Sequence, residues 1–215
     1  MPATIYRVKD KTRVPGASTI AKLISDPEPL LAWANREGLE GRDFRESRQK
    51  AADAGTLAHR MVQASFEKQN ELALLDGQPD EIAKPALVAF NAYEEWAASS
   101  KLEIVASEVS LVSEEHRYGG TLDAIAYCNG RLSLGDWKTG AIYPEALLQT
   151  AGYRNLWDEH NEQKIESVFL CRFAKESGVF VHYNLTLDVM DRAFGYFLAA
   201  RKLYAGRADM RKVLG

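Results

Sequence analysis

Residues 119–140 read "GGTLDAIAYCNGRLSLGDWKTG", and the fold turns on how this stretch doubles back. Asn129-Gly130 sits between two runs of strand-forming residues, and both tolerate the positive φ of a type I′ turn, so the stretch predicts a β-hairpin. A two-residue loop fixes the register. Cys128 then faces Arg131, Tyr127 faces Leu132, Ile125 faces Leu134 and Asp123 faces Asp136. Side chains alternate along a strand, so the last three pairs share one face, and Lys138, two residues beyond Asp136, shares it too. That face is apolar near the turn and ends in two carboxylates and an ammonium. Facing Cβ atoms lie about 4.5–5.5 Å apart, and two carboxylates at that distance repel each other unless a cation lies between them.

Two readings follow. Asp123 and Asp136 can be solvated strand ends with Lys138 as a surface counter-charge, since Asp-x-Lys alone occurs by chance in many chains. Alternatively they form a site, which the combination of hairpin, register, shared face and apolar neighbours favours. The chemistry of a site here is that of a hard divalent cation. Mg²⁺ takes oxygen ligands, commonly one or two carboxylates with water and phosphate oxygens. It polarises a phosphoryl oxygen and acidifies bound water. The backbone carbonyl of Trp137 can complete the ligand set, and Lys138 can position or help activate a water.

Composition sets the bounds. The chain has 215 residues, 46% hydrophobic, and a net charge of −3, which suits a folded α/β domain rather than a disordered chain. No long basic run appears, so a nucleic-acid partner must be met by a local cationic groove. The only cysteines, Cys128 and Cys171, fall in predicted strands and read as buried apolar residues of an intracellular, cytoplasmic protein. Two cysteines cannot make a four-thiolate zinc or iron–sulfur site. No apolar run approaches the ~20 residues of a membrane span, and no secretory segment opens the chain.

The pattern along the chain predicts helices first. Residues 1–14 read as an irregular or short-strand lead-in. Short helices follow at 18–24 and from Pro29 to Gly38, then a long one over 42–67 with Gly55 as a point where it can restart. Residues 71–81 read as a loop, and Pro85 is expected to open a helix to about Ser99. The period then changes to strand: 102–112, the hairpin at 118–138, a helix from Pro144, strands at 166–173 and 178–185 joined by a turn at 175–178, and a last helix over 188–206. This order predicts one α/β domain, with residues 1–100 mainly helical and residues 101–206 an αβ core around a mixed sheet of about five strands. Trp33, Trp96 and Trp157 lie at helical spacing and read as core.

Several further residues are candidates. Gln149 and Tyr153, four apart, share a face of the helix after the hairpin. His59 follows Gly55-Thr56 on the upstream helix. Glu108 lies mid-strand, where alternation sets it with Ala106 and Ser110, opposite Val109 and Leu111. Each has a plain alternative: an amphipathic helix, an exposed histidine, a solvated strand acid. His116 and His160 suggest no role.

Together "GTLAH" with His59, "GGTLD" with Asp123, "GDWKTG" with Asp136 and Lys138, and "QTAGY" with Gln149 and Tyr153 resemble the PD-(D/E)XK nuclease superfamily, in its RecB-like exonuclease branch. The motifs span about residues 55–153 and occur in that family's order. Residues 1–50 match only loosely the N-terminal portion of phage nucleases and mitochondrial genome maintenance exonucleases. The resemblance implies a restriction-endonuclease-like core and a Mg²⁺- or Mn²⁺-dependent DNA nuclease acting from ends, in single strands or end-containing duplexes. It implies a phage or bacterial origin, with any helicase or recombination partner a separate protein. It also implies that Asp123, Asp136, His59 and Glu108 hold metal, that Lys138 serves the attacking water, and that Gln149 and Tyr153 orient the lysine or touch DNA. Relatives that carry a four-cysteine iron–sulfur cluster are excluded by the cysteine count. The main alternative is a catalytically silent module that binds a nucleic-acid end or a replication partner. A phosphoesterase of small molecules is a third, but no glycine-rich phosphate loop supports it.

Overall fold

The computed structural model describes residues 4–139, 141–173 and 180–214. The hairpin forms in the expected register. β4 (Tyr118–Cys128) pairs antiparallel with β5 (Arg131–Thr139), from Cys128 facing Arg131 to Ala124 facing Gly135. Asn129 and Gly130 both have positive φ, 51° and 77°, as a type I′ turn requires. β3 (Glu103–Ser113) flanks β4. On the other side β5 runs parallel to β6 (Ser167–Phe173), which pairs antiparallel with β7 (Phe180–Leu185). The sheet is therefore a mixed one of five strands, and its parallel junction is bridged by α5 (Pro144–His160).

Helices cover both faces. α3 (Phe44–Phe66) and α4 (Asp80–Ser99) pack Leu57, Met61, Phe90, Tyr93 and Trp96 against Trp137 and Phe169. On the opposite face α5, α6 (Leu187–Leu214) and the short α1 (Ala17–Ala21) bury Ile20, Leu156 and Phe197 against Ile125, Leu132 and Leu134. α2 (Glu28–Leu39) precedes α3. α3 starts where Asp43 accepts the Arg45 N–H at 2.7 Å, an N-cap bond. It then runs without a break through Gly55.

A small hairpin at the N-terminus, β1 (Tyr6–Arg7) and β2 (Arg13–Val14), forms the short-strand lead-in. It leads into Pro15 and Gly16, which lie along β4: Gly119 donates its N–H to the Pro15 carbonyl at 3.0 Å. Gly120 must be glycine for a packing reason, since a Cβ there would come within 2.6 Å of the Tyr153 ring.

Several sequence expectations need correction. The loop at 71–81 contains a 3₁₀ turn, Glu71–Leu75, and the first residues of α4. α4 begins at Asp80 rather than Pro85, because Asp80 and Glu81 sit in its first turn where carboxylates oppose the positive end of the helix dipole. Pro85 lies inside the helix, close enough to its start to remove only one backbone bond. The last helix runs to Leu214 instead of ending near 206. The expected turn at 175–178 lies outside the described residues. The cysteines are both free, Cys171 buried and Cys128 half-buried. Trp96 is core, while Trp33 and Trp157 are half-buried.

Candidate metal centre

The hairpin delivers Asp123 and Asp136 to one end of the sheet, just past the last β4–β5 pair. There the strands part, and Asp123 fills the gap. Its Oδ2 accepts the Trp137 N–H at 3.0 Å, a bond that the strand ladder would otherwise supply. The Trp137 N–H is thus engaged by Asp123. Asp136 is fully buried, with Lys138 Nζ 2.7 Å from its Oδ2. Its Oδ1 accepts no hydrogen bond among the described residues.

α3 crosses this end of the sheet and brings His59 Nε2 to 3.6 Å from Asp123 Oδ2. Glu108 completes a cluster. One ligand atom from each of His59, Glu108 and Asp123 lies within 4.8 Å of the other two. The structure thus brings together His59, Glu108 and Asp123, with the Asp136–Lys138 pair beside them. Gln149 and Tyr153 are joined to each other, Gln149 Nε2 donating to Tyr153 Oη at 2.8 Å, rather than to Lys138. Tyr153 is buried.

β3 breaks its expected alternation at Glu108, which still lies opposite Val109 and Leu111, with His59 of α3. The φ of Glu108 is +52°, a left-handed conformation that costs a non-glycine residue about 1–3 kcal/mol. The ladder runs in register on both sides of it, Ser107 with Ala124 and Val109 with Leu122. Yet Ala106, Val109 and Leu111 all pack on the same core, which strict alternation forbids. A bulge at Val105, between Ile104 and Ala106, adds a further shift of face. Nothing in "ASEVSLV" signals a positive φ, since the stretch contains no glycine or asparagine. Backbone strain of this kind concentrates at functional sites.

Burial and charge set the protonation of the cluster. Burial pushes the Asp136 carboxyl up, to about 6, against the pull of Lys138 and with the Asp123 charge adding to the push. Burial also works against ionised Asp123, but His59, Lys138 and the Trp137 N–H outweigh it and hold this carboxyl below its usual range. Glu108 is raised by burial and by Asp123. His59 is held down by burial, yet Asp123, Glu108 and Asp136 together carry it above the ordinary imidazole value. Lys138 is likewise lowered by burial and raised further by Asp136 and Asp123. Tyr153 lies far up through burial and the two aspartate charges, so it stays neutral.

A polar cleft of about 700 Å³ opens beside Glu108, walled by Tyr6, Arg13, Ser18, Thr19 and Thr121. Tyr6 is fixed in it by a 2.9 Å hydrogen bond to Thr121. Reading residues 1–14 as a lead-in misses this wall; the only signal was Arg13 and Tyr6 in short polar–apolar alternation. A second grouping, Glu115, His116 and Glu159, lies elsewhere, with both acids largely outside the core. Glu159 is already occupied by hydrogen bonds from Ser113 and Asn155.

No protein-family model matches this chain, and no curated protein matches it. Among solved structures, SSO0001 is 16% identical, with 69% of this chain and 74% of that one covered and a TM-score of 0.31. LHK-Exo, solved in complex with dAMP, is 11% identical, with 92% of this chain and 94% of that one covered and a TM-score of 0.39. Both likenesses are too distant to carry an assignment. Among the described residues no helix is long and apolar enough to cross a membrane.

Proposed function

We propose that this protein is a divalent-metal-dependent nuclease that hydrolyses phosphodiester bonds of DNA from its ends, in replication, recombination or repair. One observation carries the reading: His59, Glu108 and Asp123 converge at one end of the sheet, beside the buried Asp136–Lys138 pair. The donor set fits a Mg²⁺ or Mn²⁺ ion. It is mostly carboxylate oxygen, with one imidazole that favours Mn²⁺. Asp136 Oδ1, buried and without a hydrogen-bond donor among the described residues, is an oxygen that lacks its compensation there. Asp123 and Asp136 would hold the ion, with His59 and Glu108 as further ligands and the Trp137 carbonyl as a candidate. Such an ion supplies Lewis-acid neutralisation of the phosphate charge.

The chain's own residues do the rest. Lys138, charged at neutral pH, donates hydrogen bonds toward the phosphate and the attacking water, in a site dry enough to strengthen them. Tyr153, neutral and buried, anchors Gln149 on the far side. Arg13, with Ser18 and Thr19, offers a cation and hydroxyl donors to the DNA backbone along the cleft. α3 sets His59 against Asp123, and a site partly covered in this way suits a strand end better than a closed circle.

The test is incubation with end-labelled single- and double-stranded DNA and with closed circles, in Mg²⁺, Mn²⁺ or chelator. Linear DNA should shorten from its ends only with metal, and Lys138→Ala should slow single-turnover cleavage by about 10²–10³-fold with little loss of DNA binding. DNA that is bound but left intact under every condition would overturn the nuclease reading in favour of a binding module.

A further inference from the structure

The last helix carries a face that the rest of the molecule leaves open. α6 buries Met190, Ala193, Phe197 and Ala200 in the core. Beside that face runs a second stripe: Tyr196, Ala199, Leu203, Gly206, Met210 and Val213 follow one another at alternate steps of three and four residues. This is the period of a coiled-coil seam. Tyr196 is 67% exposed, Leu203 60%, Met210 59% and Val213 85%. At its N-terminal end the stripe adjoins an apolar groove of about 550 Å³ between α6, α5 and Leu23–Ile24; Tyr196, Ala199 and Leu203 belong to both.

We propose that this surface binds a second copy of the chain, with α6 packed antiparallel against the partner's α6. Size selects the arrangement. When the two-fold axis passes between Tyr204 and Ala205, Leu203 meets the partner's Gly206, Met210 meets the partner's Ala199, and Tyr196 meets the partner's Val213. Every layer sets a larger side chain against a smaller one, and the two-fold repeats each contact. A parallel pair would instead stack Gly206 on the partner's Gly206 and leave a void.

Charge selects the same arrangement. Lys202 and Asp209 occupy equivalent positions flanking the seam, and antiparallel pairing brings Lys202 to the partner's Asp209, twice. Arg207 then lies across from the partner's Ala200. Parallel pairing would set Lys202 beside the partner's Arg207, two like charges. The groove adds what the seam lacks in length. From Tyr196 to Val213 the helix rises only about 25 Å. The antiparallel register sets the partner's Met210 and Val213 at the wall of the apolar groove. The proposal stands independently of the catalytic reading.

Sedimentation equilibrium over a dilution series tests it. The wild type should pass from monomer to dimer as concentration rises. Leu203→Glu, at an exposed position, should weaken dimerisation by about tenfold or more with an unchanged circular dichroism melt. Lys202→Asp and Asp209→Lys should each weaken it severalfold, and the double exchange should restore it. A wild type that stays monomeric throughout, or a dimer indifferent to Leu203→Glu, would overturn the interface. A double exchange that fails to recover would overturn the antiparallel pairing.

Discussion

Glu37 and Asp136 are both buried carboxylates, 6% and 0% exposed, and the molecule treats them in opposite ways. Glu37, on α2, accepts from Arg42 Nε and Nη2 at 2.7 and 2.8 Å, from Ser47 Oγ at 2.7 Å and from Trp33 Nε1 at 3.2 Å. The Arg42 bonds above all draw its carboxyl down to about 2. Through Ser47 it fastens α2 to α3. Asp136 has Lys138 on one oxygen and, among the described residues, no hydrogen-bond donor on the other, and burial pushes it up to about 6. A carboxylate kept for structure is surrounded by donors. One kept buried and under-supplied costs stability, and such groups mark sites where charge is needed for chemistry.

Cleavage is where the two acids should differ most. If Asp136 holds the proposed ion, Asp136→Asn should lower metal-dependent cleavage by about 10³-fold or more, since a metal ligand contributes several kcal/mol to the transition state. Glu37→Gln should leave the rate per folded molecule unchanged. Single-turnover assays at saturating Mg²⁺ compare them; equal losses would erase the distinction.

Their pH signatures should be opposite in metal-free protein. The folded value of Glu37 lies below its unfolded value, so its stability is present above roughly pH 4.5 and is lost as pH falls toward 2. The folded value of Asp136 lies above its unfolded value of 3.8, so its stability is present below that value and is lost as pH rises through about 6. Chelator-treated Asp136→Asn should therefore be more stable than wild type at pH 8, by up to about 3 kcal/mol, and no more stable at pH 4. Glu37→Gln should flatten the acid limb. Urea unfolding across pH reads both, and an Asp136→Asn protein less stable than wild type at pH 8 would mean that the Lys138 contact outweighs the burial cost.

The smallest effect concerns His59, which joins the cluster from another element. His59→Ala should need about tenfold more Mn²⁺ for half-maximal cleavage, the scale of a weakened metal site. Superimposable titrations would leave His59 an ordinary helix residue.

Much of this was legible in the sequence because it is local. Asn129-Gly130 sets the hairpin, and the hairpin sets Asp123, Asp136 and Lys138 on one face; no long-range information is needed. Pro144 likewise announces α5. His59 required more, since only the packing of α3 on the sheet decides what it meets. Alternation rightly set Glu108 opposite Val109 and Leu111 but wrongly grouped it with Ala106, which packs with those two; the break in period comes with the positive φ of Glu108, which has no signature in its neighbours. Glu37 was not seen at all. Its importance depends on Arg42 and Ser47 returning from the next turn, in a stretch that reads as an ordinary charged surface.

The parting of β4 and β5 beyond Gly135 has a consequence for solubility. From Asp136 onward β5 is bonded to β6 on one side only, which makes it an edge strand in the middle of a sheet. Unpaired edges invite strands from other molecules. Here Pro15 and Gly16 lie along β4, and the Asp123 carboxylate takes the Trp137 N–H on β5. Asp123 is therefore a guard as well as a proposed ligand, occupying a backbone donor through which a foreign strand could begin to pair.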